Sequence, residues 1–412
     1  MLELLAPEHR VTLLTPAPSL DTGVKGAVSL DAGVKGAVRA GQPPPPLPAG
    51  TVVETYGAAG RGGEMSRTAR GLGRTAVRGL PLQTGLFFSA DLRRRLRLLA
   101  PRADLAVLQL VRLAAHRDDL GNTPVLVDLI DDLALNFSRR AALDSWWLRP
   151  ALALEARLLA RAQRRLARSA AGVLLVCERD RREVTAGLPA AIAERVRIAG
   201  LAVAASGDPP RQAAGVAAAF DGPPRLVFTG NLGYFVNADA IAWWLREVWP
   251  VLAARRPDLQ LVVAGDRPLP GLRRTLAAAG VAGAVTVVES PPDLAGILAG
   301  AAAALAPMRC GSGVPVKILE AWSQGVPVVA SPWAAAGTTG VPGQDLLVAA
   351  SPLQWVEAVD RLLRDPAEWR RLAANGRRRL EADYSRRQVK QQLLAAVDAA
   401  VARRPSVIPP DR

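Results

Sequence analysis

Short apolar runs alternate with longer amphipathic stretches over most of this chain, the pattern of strands joined by helices. In the first half, runs at 10–15, 52–56, 105–110, 124–130 and 172–177 predict strands, with 105–110 buried and 172–177 the last of its domain. In the second half, strands are predicted at 225–229, 261–264, 285–288, 301–306, 326–330 and 344–349. Residues 1–6 read as the end of a helix. Further helices are predicted over 91–100, 149–169, 238–254, 316–324, 352–363, 366–383 and 386–402, and Ser290 to Asp293 should cap a helix that follows. Gly, Pro, Asp and Asn punctuate these segments.

With 412 residues the chain is too long for one ordinary core, and two α/β domains are expected. The first domain is expected over 1–203 and the second over 225–385. A small-residue and Pro-rich linker lies between them at 204–224. The ten residues SLDTGVKGAV at 19–28 recur almost unchanged at 29–38. Two copies cannot stack a core, so 17–50 reads as an exposed, poorly ordered insertion rather than a solenoid. After the last predicted helix, 404–412 is a loose tail. Aromatic residues make up 4% of the chain, so Ala, Leu and Val are expected to fill the cores.

The segment 306–331, APMRCGSGVPVKILEAWSQGVPVVAS, orders a strand end, a glycine loop, a helix, a tight turn and a strand. Gly311 and Gly313 let the backbone approach a ligand closely, because no Cβ stands in the way. Pro315 suits the first helical position, where its missing N–H has no partner to lose. A helix start behind such a loop offers N–H groups and the positive end of a dipole, which suits a phosphate. Lys317 falls in the first turn and Glu320 three residues on, along the same side. The same residues also fit an ordinary strand–loop–helix unit with a surface ion pair. Rarity adds weight to Lys317: the chain has four lysines among 52 basic residues, and an ammonium is not interchangeable with a guanidinium. A second unit of this kind opens at 225–229 and continues through Gly230, Asn231 and Gly233.

The run GSGVPVKILEAWSQGVPVV resembles the nucleotide-sugar motif of the family 4 retaining glycosyltransferases of GT-B fold. The likeness covers about 225–401 and, more loosely, 101–183. The FTGN opening at 228–231, the WW…EVWP helix and the core formed by Gly313, Lys317, Leu319, Glu320 and Ala321 are similar to bacterial sugar transferases of exopolysaccharide and exosortase systems. This resemblance implies an α/β fold of two Rossmann-like, doubly wound parallel-sheet domains facing each other across a cleft, with the helix 386–403 packing back on the first domain. It implies a nucleotide-diphosphate sugar donor, a glycan or lipid-linked acceptor, transfer with retention, and neither metal nor cofactor. Gly230, Asn231, Asn237, Arg267, Gly311, Ser312 and Gly313 would surround the donor, with Lys317 the main electrophile and Glu320 on the ribose. Asp131 would serve the acceptor side.

Several positions depart from the family pattern. Asn231 and Asn237 stand where relatives often carry an Arg and a Lys, so Lys317 and Arg267 would have to supply the charge. Of the paired glutamates of the E-x7-E motif, Glu320 remains and Ser312 replaces the other. The chain reads as starting inside the first helix, so the expectation is either a true start upstream or a first domain that lacks its first strand. From Ile198 the sequence reads IAGLAVAASGDPP in place of the family's interdomain motif. A nucleotide-sugar epimerase on the same fold and a non-catalytic nucleotide-sugar-binding protein are the rival readings.

Charge and the remaining polar clusters refine this picture. The formal net charge is +15, with dense arginines at 93–97 and along 149–168. No aromatic residues interleave them as in single-strand binders, so nucleic acid is not an expected partner. These arginines read either as solvated helix faces or as attraction to anionic membrane lipids. Asp128, Asp131 and Asp132 cluster at a strand end, where a ligand role and helix N-capping are both open. His116 reads as structural or surface. Cys177 and Cys310 lack framework spacing, which predicts free thiols in a reducing compartment. No signal peptide or transmembrane run is visible, so a cytoplasmic location, possible also at the inner face of the plasma membrane, is expected.

Overall fold

The computed structural model describes residues 1–7, 9–16, 51–56, 73, 79–203, 222–268, 270–280 and 284–403. The repeat insertion at 17–50, most of the linker (204–221) and the tail at 404–412 fall outside the described residues. The chain divides into two compact units, one of Met1–Gly200 with the chain from Lys390 onward, the other of Leu201–Val389.

In the first unit, β1 (Val11–Pro16) pairs in parallel with β2 (Thr51–Tyr56). A second parallel sheet joins β3 (Ala106–Gln109), β4 (Val125–Ile130), β5 (Gly172–Leu175) and β6 (Val196–Ile198), in that order. β4 and β5 are buried at every residue, as expected of strands covered on both faces. β3 differs from the buried strand its apolar run predicts: it lies at the sheet edge, and Val107 is exposed. β6 has no counterpart among the predicted strands. It is three residues long, too short to show a period, and it places one more strand after 172–177. The helix Arg149–Ser169 lays Leu159, Leu166 and Ala167 into the core beneath β4 and β5. Within the same unit, Gln392 on the helix Arg386–Val401 accepts a hydrogen bond from the Gly200 N–H, and Arg197 donates to the Ala395 carbonyl.

The second unit is a six-stranded parallel sheet. Its strands are β7 (Arg225–Thr229), β8 (Gln260–Gly265), β9 (Val285–Glu289), β10 (Ala303–Ala306), β11 (Val328–Ala330) and β12 (Leu347–Val348). Their spatial order is β12-β11-β10-β7-β8-β9. The chain runs outward from β7 to β9, then returns to β10 on the other side of β7. That reversal is the point where doubly wound sheets leave a crevice at the strand carboxyl ends.

Aromatic side chains fill more of this core than their scarcity suggested. Seven of the nine tryptophans lie in the second unit, and Trp244, Trp322, Trp355 and Trp369 are fully buried. Trp244 meets Trp355 edge to face, and the Trp369 indole donates to the Ala302 carbonyl. The helix expected over 238–254 begins earlier, at Phe235, and divides into Phe235–Glu247 and Trp249–Arg255. Pro250, lacking an N–H, fits the start of a new helix better than the middle of a long one. Asp293 holds the N-cap position of Leu294–Leu298, but its side chain accepts no capping hydrogen bond. Pro315 is the N-cap of Val316–Ser323 rather than its first helical residue.

The loop after β7 lies directly on the end of β8. Gly230 donates to the Ala264 carbonyl, and Leu232 donates to that of Asp266. A Cβ on Gly265 would stand 1.7 Å from the Gly230 oxygen, so this packing requires glycine. Gly271, on the helix Pro270–Gly280, has open space where a Cβ would stand. Urea unfolding should show Gly265→Ala losing roughly 3 kcal/mol or more, with Gly271→Ala neutral or slightly stabilised. Equal stabilities for the two variants would contradict the packing at Gly265.

Candidate functional site

Two glycine loops meet at the reversal of the second sheet. The first leaves β7 through Gly230, whose φ of 149° lies outside the range most side chains adopt. Asn231 then accepts a hydrogen bond from the Gly233 N–H through its own side chain, 2.9 Å away. The second loop leaves β10 and turns through Gly311 and Gly313, with φ of 107° and 70°. A Cβ on Gly311 would stand 3.0 Å from Val236, on the first turn of Phe235–Glu247. Contact with Val236 and the polar links described next account for the early start of that helix: packing overrides local preference.

Asn237 ties the two loops together. Its Nδ2 donates to the Asn231 carbonyl at 3.0 Å, and its Oδ1 accepts from Lys317 Nζ at 2.8 Å. Lys317 stands in the first turn of Val316–Ser323 and is buried. Its ammonium lies 3.9 Å from the centre of the Phe228 ring and 3.6 Å from Met308 Sδ. Among the described residues, no carboxylate lies within hydrogen-bonding distance of it. Burial pushes its pKa down from 10.5 to about 7, against an upward pull from Glu320. Glu320 is half-buried, and its carboxyl accepts from Thr229 Oγ1 at 3.4 Å. Burial raises its pKa, opposed by Lys317 and by that hydrogen bond.

Around this pair the second loop is held by partners that sequence reasoning missed. Arg309, two residues before Gly311, makes a two-pronged ion pair with Asp239, with Nε 3.0 Å from Oδ2. Trp333 Nε1 donates to the Gly311 carbonyl and Ser331 Oγ to that of Met308. Arg309 and Asp239 are 70 residues apart, so no local spacing could have signalled their contact. The two-residue offset of Arg309 from Gly311 was the one available hint.

The structure thus brings together Gly230, Asn231, Asn237, Gly311, Gly313, Lys317 and Glu320. Ser312 lies half-buried within the second loop. Arg267 follows β8 with φ of 48°, and its backbone carbonyl lies against Gly233 while its side chain is exposed. Asp131 belongs to the first unit, half-buried after Ile130, whose φ is 62°. Its neighbours have local roles. Asp132 caps the helix Leu133–Leu143 by accepting from the Leu135 N–H, and Asp128 accepts from the Ile130 N–H. Burial pushes both carboxyls up to about 6. His116 is fully buried, its Nε2 accepting from the Ser89 N–H and its Nδ1 donating to Asp119, which also receives Arg93 and Arg97. Cys177 and Cys310 are free and buried, and burial pushes the Cys177 thiol up to about 12. Among the described residues, no group of three or more His, Cys, Asp or Glu is placed to hold a metal ion.

Residues 223–365 match the model of the family described as glycosyl transferases group 1. A Klebsiella pneumoniae protein described as an uncharacterized 44.6 kDa protein in the cps region is 24% identical over 169 residues. That match spans 40% of this chain and 44% of the Klebsiella protein. The fold is similar to that of the trehalose 6-phosphate synthase of Burkholderia multivorans, with a TM-score of 0.61 and 14% identity over 95% of this chain and 97% of that one. It is also similar to Anabaena HepE, solved with UDP and glucose, with a TM-score of 0.58 and 15% identity over 85% of this chain and 86% of that one. These neighbours share the GT-B fold of two Rossmann-like units.

The buried amine makes a testable contribution to stability. Between pH 7 and 10.5 the unfolded chain keeps a proton on Lys317 that the folded protein has released, so stability rises with pH across that window. Below it both states are protonated and the contribution is flat. Replacing Lys317 by Met removes this term. The unfolding free energy of the wild type minus that of the variant should therefore climb by up to about 1.4 kcal/mol per pH unit in that window. Parallel pH profiles for the two proteins would contradict a depressed Lys317.

Proposed function

We propose that this chain, whose residues 223–365 carry a glycosyl transferases group 1 domain, transfers a sugar from a nucleotide-diphosphate donor to a glycan or lipid-linked acceptor. The observation that carries this reading is Lys317, a buried cation at the sheet reversal, set beside two glycine loops and a helix N-terminus. A diphosphate brings negative charge that such a niche lacks. At the start of Val316–Ser323 the Ile318 N–H donates to the Pro315 carbonyl, while the Val316 and Lys317 N–H groups, which a helix leaves without i−4 acceptors, favour an anion. Lys317 would stabilise the charge that grows on the departing nucleoside diphosphate. Glu320, held by Thr229, would accept hydrogen bonds from ribose hydroxyls. Gly230, Asn231, Asn237 and the loop from Gly311 to Gly313 would line the diphosphate, with Arg267 as a further cation. Asp131 would act on the acceptor side.

Transfer with retention and without a metal completes the reading. Lys317 and the helix terminus supply the positive charge a metal would otherwise bring. UDP bound in HepE and the cps setting of the Klebsiella relative support a uridine donor and a role in exopolysaccharide or cell-surface glycan synthesis. Work at the inner face of the plasma membrane fits a lipid-linked acceptor.

A calorimetric screen against UDP-, GDP-, ADP- and TDP-sugars tests the donor site. One nucleotide series should bind. Lys317→Ala should weaken it by about 2–4 kcal/mol, thirtyfold or more, and Glu320→Ala by about 1–2 kcal/mol. Turnover should persist in EDTA, and the product should keep the donor's anomeric configuration. Failure of every nucleotide to bind the folded protein would overturn the donor site. Interconversion of the donor would instead identify an epimerase, and tight binding without turnover on any acceptor a non-catalytic binder.

A further inference from the structure

The two basic clusters that stand out in the sequence have different fates. In the helix Ala90–Leu99 the arginines are met by carboxylates: Arg94 and Arg95 by Asp91, Arg93 and Arg97 by Asp119. The helix Arg149–Ser169 is treated otherwise. Arg157, Arg161, Arg164 and Arg168 are all exposed, and among the described residues none of them meets a carboxylate. Their spacing of i, i+4, i+7 and i+11 places them on one stripe about 17 Å long. Leu154, 56% exposed, continues the stripe toward the helix N-terminus. Arg165, at its margin, reaches Asp118 at 3.5 Å, with both side chains largely in solvent. Glu155, the single acid of this helix, is buried on another face, accepting hydrogen bonds from the Leu82 and Gln83 N–H groups.

Two tryptophans precede this helix directly. Trp146 is 78% exposed and Trp147 63% exposed, whereas Trp244, Trp322, Trp355 and Trp369 are fully buried. Paired exposed indoles are costly in water, and an unneutralised arginine stripe repels itself. One environment relieves both. At a lipid headgroup layer, indole rings take their preferred interfacial position and arginines meet anionic phosphates.

We infer that Trp146, Trp147, Leu154 and the stripe Arg157, Arg161, Arg164 and Arg168 form a docking face for a membrane surface rich in anionic phospholipid. Charge complementarity selects this occupant over a neutral bilayer, and the indole pair over a purely electrostatic contact. No helix among the described residues is long and apolar enough to cross a membrane. This deepens the membrane-facing part of the function proposed above, and it stands on residues separate from the donor site. Vesicle binding can therefore fail while nucleotide binding succeeds, and the reverse.

Flotation with phosphatidylcholine vesicles, with and without phosphatidylglycerol, tests the face. The full chain should bind the anionic vesicles roughly tenfold or more tighter than the neutral ones, and high salt should weaken that binding. Changing Arg157, Arg161, Arg164 and Arg168 together to Gln, a good helix former, should cost more than about tenfold in vesicle affinity. Trp146→Ala with Trp147→Ala should also release the protein, and should abolish the quenching of tryptophan fluorescence by brominated lipid that the wild type shows. Circular dichroism and nucleotide calorimetry on each variant separate loss of the face from loss of the fold. Absence of binding to anionic vesicles would overturn the proposal, as would binding indifferent to both variants. A duplex DNA run in parallel, if bound more tightly than the vesicles and through the same tryptophans, would reassign the face to nucleic acid.

Discussion

An ammonium held between an aromatic ring, a thioether and one amide oxygen is the constraint around which the second unit is arranged. Lys317 has given up most of its water, and Asn237 returns one hydrogen bond. Burying a cation without a paired carboxylate is unfavourable, and the fall of its pKa to about 7 expresses that cost. Such an arrangement persists only where the surroundings overdetermine it. Here β7 supplies Phe228, the chain after β10 supplies Met308, and the helix Phe235–Glu247 supplies Asn237. The contact of Gly265 with Gly230 and the Arg309–Asp239 ion pair hold those elements in register.

The same cost becomes an advantage when an anion arrives. A diphosphate would supply the charge that the niche lacks, and the poorly solvated ammonium would meet it at short range in a low dielectric. Asn231 and Asn237 take a different part. Asn237 donates to the Asn231 carbonyl and accepts from Lys317, so it orients the buried amine without adding charge, while the Asn231 side chain holds its own loop through the Gly233 N–H. Glu320, three residues along the helix, moderates the charge without neutralising it by contact.

Much of this was legible in the chain. The strands β7 to β10 announce themselves as short apolar runs, and the glycine loop, Lys317 and Glu320 can be read from one continuous segment. What was hidden depends on contacts distant in sequence. The early start of the helix at Phe235 follows from Val236 packing near Gly311, which no local period records. The Arg309–Asp239 pair joins two elements far apart in the chain. β6 is too short to show a period, and β3 looked buried because an edge strand can carry an apolar run. The acidic cluster at 128–132 looked like one site. It resolves into a capping Asp132, an Asp128 turned back on its own backbone, and Asp131 between them. Likewise, the two arginine clusters look alike in sequence, and only their partners distinguish them.

The central claim is that Lys317 is only partly charged at neutral pH and largely neutral by about pH 8 in the free protein, and becomes charged when a diphosphate binds. Calorimetry of nucleotide-sugar binding at about pH 8, in buffers of different ionisation enthalpy, measures the protons taken up on binding. A diphosphate diester does not titrate there, so uptake reports on the protein. The expected result is uptake approaching one proton in the wild type and close to none in Lys317→Met. Binding of undiminished affinity with no proton uptake would contradict the account.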